Sequence, residues 1–174
     1  MKQRLLCLAC SLFVCFAAAQ KDPEFPKGWV MYLESHHGIA TNFHLSPDLF
    51  VGYLSITPQV TIVPSKLRLG GTAGLLLSNK RLDGLFGPNL VLKIKTLNVK
   101  QMGSILNLQL KAEHLWSTNK QKLIGGGISA ELGQLLLIGL SMHRDYGLNY
   151  WWFQFGLGYN LLRKKKGPPA DPLN

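Results

Sequence analysis

The sequence predicts an all-β fold, a closed antiparallel up-and-down transmembrane β-barrel of about eight strands over residues 28–162. Two observations lead to this prediction. Bulky apolar residues alternate with glycine or polar residues along most of the chain, which is the period of a strand whose two faces meet different surroundings. Turn-forming residues separate these alternating segments, and no stretch shows a convincing helical period.

Residues 1–19 have the order of a secretory signal peptide. Lys2 and Arg4 give a positive start, an apolar run follows, and Ala17-Ala18-Ala19 supplies small residues for a signal peptidase. All three cysteines lie in this segment, so the mature chain has no thiol for a disulfide or a metal. Because an exported chain rarely meets nucleic acid, we expect no nucleic-acid partner despite the formal net charge of +10.

Two polar segments flank the predicted barrel. Residues 20–27 form an N-terminal lead-in, and residues 163–174 form a basic, proline-rich tail. We expect the tail to lie in the periplasm, where its four consecutive basic residues have anionic polymer or lipid as candidate partners.

The eight predicted strands are bounded by turn residues. In the second strand we expect a bulge or a break at Pro58, because proline cannot donate to a strand ladder. Connections are long after strands one, three and seven and short after strands two, four and six, which is typical of outer-membrane barrels. The predicted strands cover residues 29–35, 50–62, 66–77, 90–98, 104–116, 122–131, 134–143 and 150–162.

The two faces of each strand differ in the same sense. In strand five, Leu106, Leu108 and Leu110 alternate with Asn107, Gln109 and Lys111. An eight-stranded barrel is just wide enough to be filled by side chains, so the large apolar set would overfill it and should face lipid. Closure is required because lipid cannot satisfy an open sheet edge. A soluble lipocalin-like barrel, with the apolar face inside, is the alternative.

Aromatic residues near the strand ends agree with interfacial girdles. They are Trp29, Phe50, Trp116, Tyr146, Tyr150, Trp151 and Tyr159.

On these patterns the chain resembles the small outer-membrane β-barrel proteins of Gram-negative bacteria, of the eight-stranded OmpA/OmpX-like type. The last strand also looks like their assembly signal, here Gln154, Gly156, Tyr159 and Leu161. The resemblance implies a place in the cell outer membrane, with outer-membrane lipids and the barrel-assembly machinery as partners. The chain departs from the family in its tail, because many members end at an aromatic residue and this one ends at Asn174.

Charged residues of both signs fall on the predicted inner faces. Buried charges need partners, so we expect a salt-bridged polar network that packs the lumen. The alternative is the lining of a narrow, anion-preferring channel. The residues are Glu34, Arg68, Lys93, Lys95, Lys111, Glu113 and Glu131.

Two further constellations have a chemical interpretation. His36, His37 and His44 lie in the first predicted long loop, where three imidazoles can bind a metal, but we expect a solvated loop and no cofactor. Ser141, His143 and Asp145 alternate at the end of strand seven, in the pattern of a nucleophile, a base and an orienting acid. Outer-membrane lipid A deacylases are similar in carrying His and Ser two residues apart, although Asp145 stands here in the place of that Ser.

The sequence therefore predicts a non-enzymatic outer-membrane barrel with a packed polar lumen. Its predicted role is structural, or surface binding through long extracellular loops. The alternatives are a narrow channel and a lipid-modifying enzyme.

Overall fold

The computed structural model describes residues 28–43, 48–78, 81–133 except 100–103, and 135–162. The predicted signal peptide (1–19), lead-in (20–27) and tail (163–174) lie outside the described residues. Among the residues described, no helix is long and apolar enough to cross a membrane.

Eight antiparallel strands form one closed barrel, and this part of the prediction is confirmed. Each strand pairs with its neighbours in sequence, and the last strand pairs with the first to close the sheet. The strands are β1 Trp29–Thr41, β2 Leu49–Val63, β3 Leu67–Ser78, β4 Arg81–Val99, β5 Ser104–Ser117, β6 Lys122–Leu132, β7 Leu136–Asp145 and β8 Tyr150–Asn160.

The loop end is the end of the barrel at which β1 connects to β2, β3 to β4, β5 to β6 and β7 to β8, and the turn end is the opposite one. At the loop end the connections are residues 42–48, 79–80, 118–121 and 146–149, and at the turn end they are 64–66, 100–103 and 133–135. The connection after β1 is the longest and those after β2 and β6 are short, as predicted, but the predicted long connection after β3 is wrong.

The strands extend further toward the loop end than predicted. β1 continues to Thr41, and β4 already begins at Arg81, which pairs with Ser78. In a closed barrel every strand has a partner on both sides, as His36 does with Tyr53 and Gly156. Such pairing keeps polar residues and glycine in the ladder although their strand propensity is low.

Pro58 does not break the second strand. β2 is continuous, and Pro58 lies opposite Met31 of β1. Toward β3, pairing is interrupted at Thr57 and Pro58, but the register is the same before and after the interruption. The predicted bulge at this position is wrong because the proline interrupts the ladder on one side only. The register between β2 and β3 shifts instead between Thr61 and Val63.

Apolar side chains lie mainly on the outside of the barrel. On β8, Phe153, Phe155 and Leu157 are 38%, 44% and 50% exposed, whereas the intervening Gln154 is buried. Among the described residues, two apolar groups lie inside. A small one consists of Val30, Tyr32 and Leu137. The larger one lies toward the loop end, and we call it the loop-end core. Its buried members are Ala40, Val51, Tyr53, Leu76, Leu85, Leu115, Leu123 and Trp152.

Candidate functional site: the ionic interior of the barrel

The middle of the barrel holds a central network of ionisable side chains. Lys111 Nζ lies 2.9 Å from Glu34 Oε2 and 3.0 Å from Glu113 Oε2. His36 Nε2 is 3.0 Å from Glu34 Oε2, and His143 Nε2 is 2.9 Å from Glu113 Oε1. One ammonium group is therefore shared by two buried carboxylates, and each carboxylate also contacts a histidine.

Strand geometry explains how so many charges meet. Residues two apart in a strand share a face, so Glu34 and His36 both point inward from β1, as Lys111 and Glu113 do from β5. Both strands therefore contribute an inward-facing pair at the same depth. All of these side chains are buried, so the ion pairs must compensate for lost hydration.

Tyr53 connects the central network to the loop-end core. Its hydroxyl donates to Glu113 Oε1 at 3.4 Å, and its ring stacks on His36 with a centroid separation of 4.3 Å. The same side chain packs among the apolar residues of the loop-end core. The polar middle of the lumen is thus covered on one side by apolar side chains.

A second polar group, the lower network, lies toward the turn end. Glu131 accepts hydrogen bonds from the Tyr32 hydroxyl and from Gln109 Nε2, the latter at 2.5 Å, and its Oε2 is 3.5 Å from Arg68 Nη1. Arg68 Nη1 also donates to the Tyr32 hydroxyl at 3.3 Å. Each buried charge in this group again has an oppositely charged partner.

The predicted charged residues are placed inside the barrel with one correction. The buried ones are Glu34, Arg68, Lys93, Lys111, Glu113 and Glu131.

Lys95, by contrast, is exposed. The register between β4 and β5 shifts between Lys93 and Lys95, so the consecutive residues Ile94 and Lys95 are both exposed and the inward position passes to Thr96. Lys93 Nζ donates to Thr96 Oγ1 at 3.1 Å. The prediction for Lys95 depended on strict alternation, and the bulge interrupts that alternation.

The three histidines predicted to share a loop are not brought together. His36 is buried in the lumen and His37 is exposed on the outside, because β1 continues through both; His44 lies outside the described residues. In the described part of the chain, no group of three or more His, Cys, Asp or Glu residues is arranged to hold a metal. The alternation of Glu34 with His36 was the signal that could have placed His36 inside.

Ser141, His143 and Asp145 do not form a relay. The ring of His143 contacts Glu113, while Asp145 Oδ1 accepts backbone N–H groups of Lys122 at 3.2 Å, Gly147 at 2.9 Å and Leu148 at 3.1 Å. Ser141 Oγ has no hydrogen-bond partner among the residues described. Asp145 thus stabilises the connection from β7 to β8.

The residues of the predicted assembly signal lie in β8, except Leu161, which follows its end, and they divide between the inside and the outside of the barrel. Gln154 and Gly156 point inward and are buried, whereas Tyr159 and Leu161 are 49% and 44% exposed. A Cβ at Gly156 would lie 2.6 Å from Cε1 of His36. Glycine at this position therefore leaves room for a histidine of the central network.

The chain matches no protein-family model, no curated protein and no solved structure. Its class therefore follows from its own geometry. The protein is a closed, eight-stranded, up-and-down antiparallel barrel with an apolar exterior and an ionic interior.

Proposed function

We propose that the protein is an outer-membrane β-barrel of a Gram-negative bacterium whose polar lumen is packed, and whose role is structural or surface-binding. The supporting observation is the exterior. Leu140, Ile128 and Ile94 are 68%, 60% and 59% exposed, and large apolar residues are exposed on every strand. Water does not tolerate a continuous apolar surface of this kind, whereas the acyl chains of a bilayer do.

Strand length also supports a membrane barrel. A strand tilted across the hydrocarbon core needs about 9–11 residues. The shortest strand, β7, has 10 residues, and β4 has 19. Every strand can therefore cross a bilayer, and closure leaves no unpaired edge in the hydrocarbon.

The interior favours a packed lumen over a channel. Glu34 and Glu113 share Lys111, and the loop-end core covers this network. A cavity of about 20 Å³ beside Glu34, His36 and Lys111 has room for roughly one water molecule. Because three of the four connections at the loop end have four residues or fewer, a surface-binding role would use mainly the rim of the barrel rather than long loops.

Migration on an SDS gel tests the proposal. We expect the unboiled protein, extracted from membranes, to run as a compact species that shifts only after boiling, and to stay with the membrane in alkaline carbonate. Release by carbonate alone would contradict the proposal and favour a soluble barrel. In liposomes we expect no increase in conductance, and an increase would favour the channel.

A further inference from the structure

Basic and aromatic side chains gather on the outer face of β5–β8 at the loop end. Trp116 on β5 pairs with Lys122 on β6, and Arg144 on β7 pairs with Trp151 on β8. Between them, His114 Nε2 lies 2.7 Å from the Tyr146 hydroxyl. We call this group the basic rim: His114, Trp116, Lys122, Arg144, Tyr146 and Trp151.

The basic rim lies where the apolar exterior ends. Directly toward the middle of the barrel are Ile124, Met142 and Phe153, which are 53%, 47% and 38% exposed. Among the described residues, the connections of residues 118–121 and 147–149 lie beyond the rim. Tryptophan, tyrosine and basic residues at such a boundary are typical of the level of lipid head groups.

The two cations are placed to meet one anion. The register pairs Leu123 with Asp145 and Ile124 with Arg144, which makes Lys122 and Arg144 diagonal neighbours across β6 and β7. Diagonal neighbours are about 7–8 Å apart, which two long side chains can bridge to reach a single phosphate.

The side chain of Arg144 is held in place and that of Lys122 is exposed. The Arg144 guanidinium lies 5.1 Å from the Trp151 ring centroid and donates to Asn149 Oδ1. This cation–π contact and this hydrogen bond orient the guanidinium at the rim, which lowers the entropy lost on binding an anion. Among the described residues, the Lys122 side chain forms no ion pair with an acidic side chain.

The charge of this part of the barrel surface is uniformly positive. Residues 104–162 contain only three acidic residues, Glu113, Glu131 and Asp145, and all three are buried. Lys120, in the adjacent connection, is exposed and adds a further positive charge. An anion at the basic rim therefore meets no opposing carboxylate on the outer face.

We propose that the basic rim binds the phosphate of an anionic membrane lipid whose acyl chains lie along the apolar outer face of β6–β8. This inference rests on the proposed membrane location. The phosphate would contact Lys122 and Arg144, with Trp116 and Trp151 flanking the head group.

Native mass spectrometry of the full chain in detergent tests this site. The protein is titrated with phosphatidylglycerol or with phosphatidylcholine of the same acyl chains. We expect the wild type to retain the anionic lipid preferentially, and Lys122→Gln/Arg144→Gln to weaken its binding on the order of thirtyfold. The matched control, Lys66→Gln/Lys95→Gln, removes the same charge at the turn end and should keep the preference.

Three outcomes would overturn the inference: an undiminished preference in Lys122→Gln/Arg144→Gln, an equal loss in the control, or displacement of the lipid by inorganic phosphate. Lys122→Glu, which reverses one charge, should weaken binding as well, and each variant must keep the heat-dependent gel shift that reports a closed barrel. A wild type that keeps this shift but shows no lipid preference contradicts the lipid site alone. A wild type without the shift contradicts the membrane barrel itself.

Discussion

Lys111 is the cation on which the central network depends. Its ammonium group lies within 3.0 Å of both Glu34 and Glu113, and neither carboxylate contacts another lysine or arginine among the described ion pairs. Removing one partner of a buried ion pair leaves an uncompensated charge, which destabilises proteins by about 3–5 kcal/mol. The stability of the barrel should therefore be sensitive to this one side chain.

We expect Lys111→Met to lower the free energy of unfolding by about 3–5 kcal/mol. Urea unfolding of the refolded barrel, followed by tryptophan fluorescence, measures the difference. Lys95→Met is the matched control, because Lys95 is exposed and its loss should change stability by no more than about 0.5 kcal/mol. Equal unfolding midpoints for the two variants would show that the central network does not stabilise the fold.

A substitution at Gly156 separates two reasons for a glycine at this position: packing against His36, and recognition during assembly. The His36 ring cannot easily move, because it contacts Glu34 at 3.0 Å and stacks on Tyr53. We expect Gly156→Ala to destabilise the refolded barrel by about 1–3 kcal/mol, as overpacking does. At Gly71 a Cβ would meet its nearest atom, the Gly87 carbonyl oxygen, at 3.6 Å, so Gly71→Ala should be tolerated.

Unfolding in urea again provides the measurement for both glycine variants. If Gly156→Ala unfolds like the wild type in vitro but fails to reach the membrane in cells, the packing explanation is wrong. Recognition by the assembly machinery would then account for the glycine.

At the scale of the strand, the alternation of apolar and polar residues predicted the number of strands and their faces better than it predicted where the strands begin and end. It predicted eight strands and their outward faces, because side-chain direction in a strand has a period of two. It did not predict that residues 36–41 and 81–89 are strand, since these segments contain glycine, proline and polar residues. Pairing on both sides holds them in the sheet, and that pairing is not visible in one segment alone.

Two other features also depend on neighbours rather than on local sequence. Alternation places Leu76 inside, between the exposed Leu75 and Leu77, but its partners in the loop-end core come from other strands. The bulge in β4 moves Lys95 to the outside, although apolar and basic residues alternate regularly in the sequence around it. The charged interior could be predicted from the sequence, but the partners within it required the register of non-adjacent strands.

The bulge itself leads to a prediction for β4. Deleting Ile94 should remove the extra residue and leave Lys93 and Thr96 pointing inward and Lys95 outward, because Lys93 pairs with Gln109 and Lys95 with Leu108. We expect this deletion to preserve the heat-dependent gel shift of the barrel. Deleting Leu90 instead should shift the register of residues 91–93, which lie between the deletion and the bulge, by one position. Lys93 would then point outward, and we expect the closed barrel, and with it the gel shift, to be lost. A similar outcome for the two deletions would contradict the register.

At the scale of the whole molecule, the polarity of the barrel is inverted relative to a water-soluble protein. Arg68, Glu131 and Glu113 are almost completely buried, while leucine and isoleucine side chains cover the outside. Burying a large apolar side chain contributes about 1.5–3 kcal/mol, so each exposed one forgoes this contribution in water. In the proposed membrane location, acyl chains accept this apolar surface. The ionic groups inside need partners of opposite charge because they are buried.

The solvent of the outer face can be tested by placing arginine at two depths. Leu140 lies at the centre of β7 and is 68% exposed, whereas Leu161 follows the end of β8 and is 44% exposed. In lipid vesicles we expect Leu140→Arg to lower the free energy of unfolding by about 2–4 kcal/mol and Leu161→Arg by about 0–1 kcal/mol, because the penalty for arginine is greatest at the bilayer midplane. Urea unfolding from vesicles measures both. If Leu140 faced water, arginine would be tolerated there as well as at Leu161, and equal stabilities would exclude the membrane orientation.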